Sequence, residues 1–146
     1  MVINKDFKEF LQSLNDHKVQ YLVVGGYAVA FHGNPRYTRD MDIWVKGTDD
    51  NAKRAIAALR DFGFGSLNVN AEDFQRPDMV IQLGYPPNRI DLLTSLTGIR
   101  FEECYPSRVR STIDGVAIDI IDVDSLKKNK RAAGRPQDLA DLESIG

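Results

Sequence analysis

Cysteine is nearly absent: Cys104 is the one thiol in 146 residues. It has no partner for an internal disulfide, and neither His17 nor His32 is near it in sequence to activate it as a nucleophile. Long apolar runs are absent too. None approaches the roughly 18 residues that a membrane span needs, and the opening MVINKDFKEF lacks the shape of a signal peptide. The plain expectation is a cytoplasmic protein of bacterial type with no membrane partner. Charge of one sign is also scarce, since 19 Lys and Arg face 21 Asp and Glu for a formal net charge of −2. A broad grip on nucleic acid rests on many cationic phosphate contacts, so RNA is a partner that the charge does not indicate, although it leaves room for a local basic patch. No repeat, low-complexity tract or linker interrupts the chain. At 42% hydrophobic residues it has the composition of one globular domain, 1–146, with a real core.

What is present centres on Tyr21 to Val45. Tyr21 to Val24 is an apolar, partly β-branched run that reads as a buried strand. Gly25 and Gly26 break it, and Tyr27 to Phe31 is apolar enough for a packed helix. Gly33 is expected to cap that helix in the left-handed conformation, with Pro35 shortly after it. Asp40 to Val45 reads as a second strand, on which side chains alternate between faces. Met41, Ile43 and Val45 would enter a core, and Asp40, Asp42 and Trp44 would share the other face. Two carboxylates held together raise each other's pKa unless a cation lies between them, and a hard divalent ion with oxygen ligands is the simplest resolution. The Gly25-Gly26 turn would place bare backbone N–H groups at the start of a helix, a setting that favours phosphate. A phosphate cradle beside a carboxylate pair suggests metal-assisted phosphoryl transfer.

The rest of the chain supplies scaffold. Asn4 to Asp16 is an amphipathic helix with Phe7, Phe10, Leu11 and Leu14 on one face. Asn51 to Phe62 is another, capped by Asp49 or Asp50. A helical turn is expected over 71–74, a strand over 78–83, and a second strand over 89–93 that makes a hairpin with it. Asp91 would point toward Asp40 and Asp42. The stretch Phe101 to Arg110 has no clear assignment. Val109 to Ile113 and Val116 to Ile120 flank Asp114-Gly115, a strong hairpin signal. The tail, 124–146, reads as two short helices, Leu126 to Ala133 capped by Asp124 or Ser125, and Gln137 to Ile145 with Pro136 in its first turn. Strands interleaved with helices predict an α/β fold.

The pattern of Gly25, Gly26, His32, Gly33, Arg36, Thr38, Asp40 and Asp42 resembles the nucleotidyltransferase superfamily typified by DNA polymerase β. Within it the chain is similar to small bacterial members, the lincosamide-modifying and abortive-infection toxin types. Asp91 in NRIDLLTS fits the family's third carboxylate, and LKKNKRAAGRPQDLADLE resembles the family's closing stretch. The resemblance implies a polymerase-β-like fold, with helices packed on a small twisted mixed sheet. It implies transfer of a nucleoside monophosphate from a nucleoside triphosphate such as ATP to an acceptor hydroxyl, with release of pyrophosphate. Asp40, Asp42 and Asp91 would ligate two Mg²⁺ ions, Mn²⁺ serving as well, with Asp91 as candidate base. Gly25, Gly26, Tyr27, Arg36 and Lys130 would meet the nucleotide.

The family usually has Ser after its second glycine, and this chain has Tyr27. That departure keeps a second reading open: a non-catalytic module that binds or regulates, for example a toxin–antitoxin component. His32 reads as a capping or packing residue, Thr38 as a structural hydrogen bonder, and Arg135 with Asp138 as a structural pair. The acceptor is unknown. About 26 residues follow Ile120, little surface for a selective acceptor cleft, so a homodimer or a separate partner protein is expected to complete it.

Overall fold

The computed structural model describes residues 4–33, 40–64, 68–84 and 89–145. Arg36 and Thr38 lie outside them. Among the described residues six strands form one mixed sheet: β1 (Tyr21–Val24), β2 (Met41–Val45), β3 (Val80–Leu83), β4 (Ile90–Leu93), β5 (Val109–Ile113) and β6 (Val116–Ile120), in the spatial order β3-β4-β2-β1-β6-β5. Pairs β1/β2, β3/β4 and β5/β6 are antiparallel, and β1/β6 and β2/β4 are parallel. Among the described residues seven α-helices accompany them: α1 (Lys5–Asp16), α2 (Gly25–His32), α3 (Asp49–Leu59), α4 (Ala71–Gln75), α5 (Phe101–Cys104), α6 (Val123–Ala133) and α7 (Pro136–Ile145). The α/β expectation holds.

Local chemistry explains most of the boundaries. The Asn4 side chain accepts from the Asp6 N–H at 2.7 Å and starts α1, whose Phe7, Phe10, Leu11 and Leu14 are buried as their spacing requires. Asp114 and Gly115 both have positive φ, 50° and 82°, the backbone that a two-residue hairpin between β5 and β6 needs. Gly134 ends α6 in the left-handed conformation at φ 65°. Other boundaries differ from the expectation. Helix α2 begins directly at Gly25 rather than at Tyr27. Helix α6 is capped by Asp122, whose side chain accepts from the Ser125 N–H at 3.1 Å, rather than by Asp124 or Ser125. Gly33 has φ −132° and is no left-handed cap. Its lack of a side chain serves a close approach instead, since a Cβ there would lie 2.9 Å from the Ser144 carbonyl oxygen.

Strand β2 is buried on both faces at its far end. Trp44 is 2% exposed, and its ring meets Phe101 edge-on at 5.2 Å. Helix α5 therefore covers the face that Asp42 shares, and the carboxylates are confined to the near end of the strand. Asn51 is a polar staple at the base of this layer. Its side chain accepts from the Gln20 N–H at 2.7 Å and donates to the Gln20 and Lys46 carbonyls at 3.0 and 2.8 Å. It thus ties α3 to the ends of β1 and β2 with no buried polar atom wasted.

Candidate active site

The site is set by strand register. In the parallel pair β2/β4, Asp42 stands opposite Asp91, and Met41 opposite Ile90. Adjacent strands are roughly 4.8 Å apart, so the two carboxylates project side by side from one sheet face. In the antiparallel pair β1/β2, Val24 stands opposite Asp42. The next residue, Gly25, turns the chain into α2 at φ +65°, and a Cβ on it would collide with the Asp42 carboxylate oxygen Oδ2. Glycine is needed here for both the backbone angle and the approach. The start of α2 is thus brought onto Asp42.

Electrostatics match this crowding. Burial pushes the Asp42 carboxyl up to about 6, and Asp91 and Asp40 add to the rise, while Lys130 and Arg89 oppose it. Burial also raises Asp91 above the usual carboxylate range, against the pull of Arg89. Arg89 was not singled out from the sequence. It immediately precedes β4, and its guanidinium Nη2 lies 2.9 Å from Asp40 Oδ2 and 3.2 Å from Asp91 Oδ2. A basic residue two positions before a site carboxylate, on the same strand face, was the available signal.

The other sequence-derived residues are placed as follows. Asp40 directly precedes β2, in contact with Arg89. Gly26 is buried in the first turn of α2. Tyr27 is 8% exposed, with its ring edge-on to Phe7 at 5.7 Å, so its aromatic face belongs to the core. Lys130 is buried at 6% exposure, with Nζ 3.3 Å from Asp138 Oδ1 and 3.0 Å from Asp141 Oδ2. Its charge reaches Asp42, so the α6–α7 pair borders the site. Asp138 also accepts from Arg135 Nε at 2.8 Å, the structural pair that the sequence suggested. His32 donates from Nε2 to the Ile121 carbonyl at 2.6 Å, a packing role that locks α2 to the end of β6.

The donor set fits a hard cation. It consists of carboxylate oxygens, and Asp91 Oδ1 is buried without a hydrogen bond. No three His, Cys, Asp or Glu side chains among the described residues are arranged around one point as metal ligands.

Comparisons with known proteins agree on the fold. The model of a family described as "Nucleotidyl transferase of unknown function" (DUF2204) matches residues 3–146. A crystal structure from Thermotoga maritima, classed provisionally as a nucleotidyltransferase, superposes with a TM-score of 0.64 at 13% identity, covering 94% of this chain and 88% of that one. An antigenic nucleotidyltransferase-like protein from Paracoccidioides brasiliensis gives 0.56 at 16% identity, covering 94% and 71%. No curated protein matches the sequence.

Proposed function

The chain belongs to this nucleotidyl transferase family, DUF2204, and from that premise we propose that it is a metal-dependent enzyme. It moves a nucleoside monophosphate from a nucleoside triphosphate to an acceptor hydroxyl and releases pyrophosphate. The observation that carries this reading is the register of Asp42 against Asp91 beneath the Gly25 turn. Two carboxylates beside a glycine-led helix start, where backbone N–H groups favour an anion, suit a reaction on phosphate.

Asp40, Asp42 and Asp91 would hold the divalent cation, Mg²⁺ or Mn²⁺, which supplies charge neutralisation for the triphosphate and acidifies the acceptor hydroxyl. The backbone N–H groups of Gly25 and Gly26 orient phosphate oxygens. Asp91 takes the acceptor proton as the acceptor oxygen bonds to the α-phosphorus. The bond from that phosphorus to the β-phosphate oxygen breaks, and pyrophosphate leaves with the electron pair. Lys130, held by Asp138 and Asp141, adds positive potential toward Asp42.

Isothermal titration with ATP and Mg²⁺, followed by a screen for transfer of α-labelled nucleotide to candidate acceptors, tests the reading. Binding and transfer that disappear in the Asp40→Asn, Asp42→Asn double variant are expected. Binding without transfer to any acceptor would favour the regulatory module that the Tyr27 departure keeps in view.

A further inference from the structure

We infer that Arg89 is an exchangeable counter-ion of the carboxylate set. A divalent cation displaces its guanidinium from Asp40 and Asp91, and the freed guanidinium then binds the phosphates of the nucleotide. The inference rests on the proposed function above and adds to it the residue that couples metal binding to nucleotide binding.

The grip of Arg89 on the carboxylates is close but imperfect. Nη2 spans Asp40 and Asp91 at 2.9 and 3.2 Å. Nε lies 3.1 Å from Asp91 Oδ1, yet both atoms are buried with no hydrogen bond. A well-made Arg–carboxylate pair donates two parallel N–H bonds, and here one of the two is missing. One oxygen that a hard cation would ligate, Asp91 Oδ1, thus faces a group that does not hydrogen-bond it.

The backbone can stay in place during the exchange. The Arg89 carbonyl accepts from the Met41 N–H at 3.1 Å, which fixes the start of β4 against β2. The side chain is 29% exposed, compared with 10% for Asp91. The guanidinium therefore has a way out toward solvent that Asp91 lacks, and rotation about side-chain bonds suffices. Charge drives the exchange, since Arg89 offers the three carboxylates one unit charge, with Lys130 acting on Asp42 from the α6–α7 side, and a divalent ion brings two. The planar fork matches phosphate as well as carboxylate, so a guanidinium released at the mouth of this site meets the triphosphate next.

The test compares wild type, Arg89→Gln and Arg89→Lys, with folding checked by circular dichroism. Mn²⁺ alone, followed by loss of its free-ion EPR signal, is expected to bind Arg89→Gln about tenfold tighter than wild type, the worth of one nearby unit charge in a largely buried but solvent-screened site. Arg89→Lys, which keeps the charge, is expected to stay near wild type. At saturating Mn²⁺ the order reverses, and ATP binds Arg89→Gln about tenfold more weakly than wild type. The Arg89 Nε–H resonance in wild-type protein is expected to shift on Mg²⁺ addition, a check that needs no variant. Equal or weaker Mn²⁺ binding by folded Arg89→Gln overturns the inference alone, because Arg89 then merely positions Asp91. So does unchanged ATP affinity in that variant, or an unmoved resonance at saturating Mg²⁺. Absence of Mn²⁺ binding from all three proteins overturns it together with the proposed function.

Discussion

Gly25 sits so close above Asp42 that any side chain on it would strike the carboxylate. Gly25 opens α2 directly after β1 and Asp42 lies on the neighbouring β2, so the register of Val24 against Asp42 fixes their meeting. Gly25→Ala adds a Cβ at a φ of +65°, which costs roughly 1–3 kcal/mol in backbone strain alone. The variant is expected to melt several degrees lower and to lose the stabilisation given by Mg²⁺ with ATP, because Asp42 must turn aside. Gly115→Ala is the control for strain, with φ +82° and no atom within 4 Å of its Cβ position. Thermal melts with and without Mg²⁺ and ATP separate the two effects.

Asp42 bears the main cost of the acidic cluster. Its pKa of about 6 means that the ionised form is disfavoured by burial and by its neighbours. Asp42→Asn removes that repulsion and keeps the shape. Without added metal at neutral pH the variant is expected to be as stable as wild type or more so, by roughly 1–3 kcal/mol. The further stabilisation that Mg²⁺ and ATP give wild type is expected to vanish. A ligand at 100 times its Kd contributes about 2.7 kcal/mol, so an undiminished melting shift in Asp42→Asn would remove Asp42 from the ligand set.

Tyr27 stands where the resemblance to polymerase-β-like nucleotidyltransferases implies Ser, and its ring packs on Phe7 inside the core. Tyr27→Ser would supply the hydroxyl and open a cavity at once. Aromatic-to-small changes in cores cost about 3–5 kcal/mol, so the variant is expected to unfold at markedly lower urea. Nucleotide affinity is best read from Tyr27→Phe, which keeps the ring. Unchanged affinity there is expected, and a large loss would show that the Tyr27 hydroxyl touches the nucleotide.

Much of the site was legible because it lies on short-range patterns. The period of two in MDIWV put Asp42 on one face, and the break at Gly25-Gly26 located the turn. Asp91 could be expected on a strand, but its pairing with Asp42 depends on a parallel register between β2 and β4 that no local signal specifies. Arg89 escaped for the same reason, since a cation two residues before Asp91 matters only once β4 lies beside β2. Trp44 was expected on the face of Asp42, and Phe101 of α5 covers it there. The sequence around Phe101 mixes aromatic and charged residues without a period, so the cover over Trp44 could not be foreseen. The caps were harder still. Asp122, Asp124 and Ser125 are all competent N-caps, and packing of Leu126 at 0% exposure goes with the choice of Asp122.

The α6–α7 pair should respond to acid in a specific way. Hydrogen bonds from the Arg135 side chain hold the Asp138 carboxyl down to about 2, with Lys130 contributing. A carboxyl whose pKa is lower in the folded state stabilises the fold fully above its unfolded value, near 3.8. It loses that contribution as pH falls toward 2. Wild type is therefore expected to lose stability between about pH 4 and pH 2, and Asp138→Asn to lack this part of the acid limb while being less stable at neutral pH. Lys130→Met is the sharper variant, because it leaves Asp138 and Asp141, 1% and 2% exposed, without their shared ammonium. Removing one partner from a buried ion pair costs about 3–5 kcal/mol, and Asp138→Asn in the same chain is expected to restore part of it. If Lys130 also serves the nucleotide, the double variant regains stability but not ATP affinity. Urea melts and ATP titrations on the same four proteins distinguish a purely structural lysine, for which both recover together.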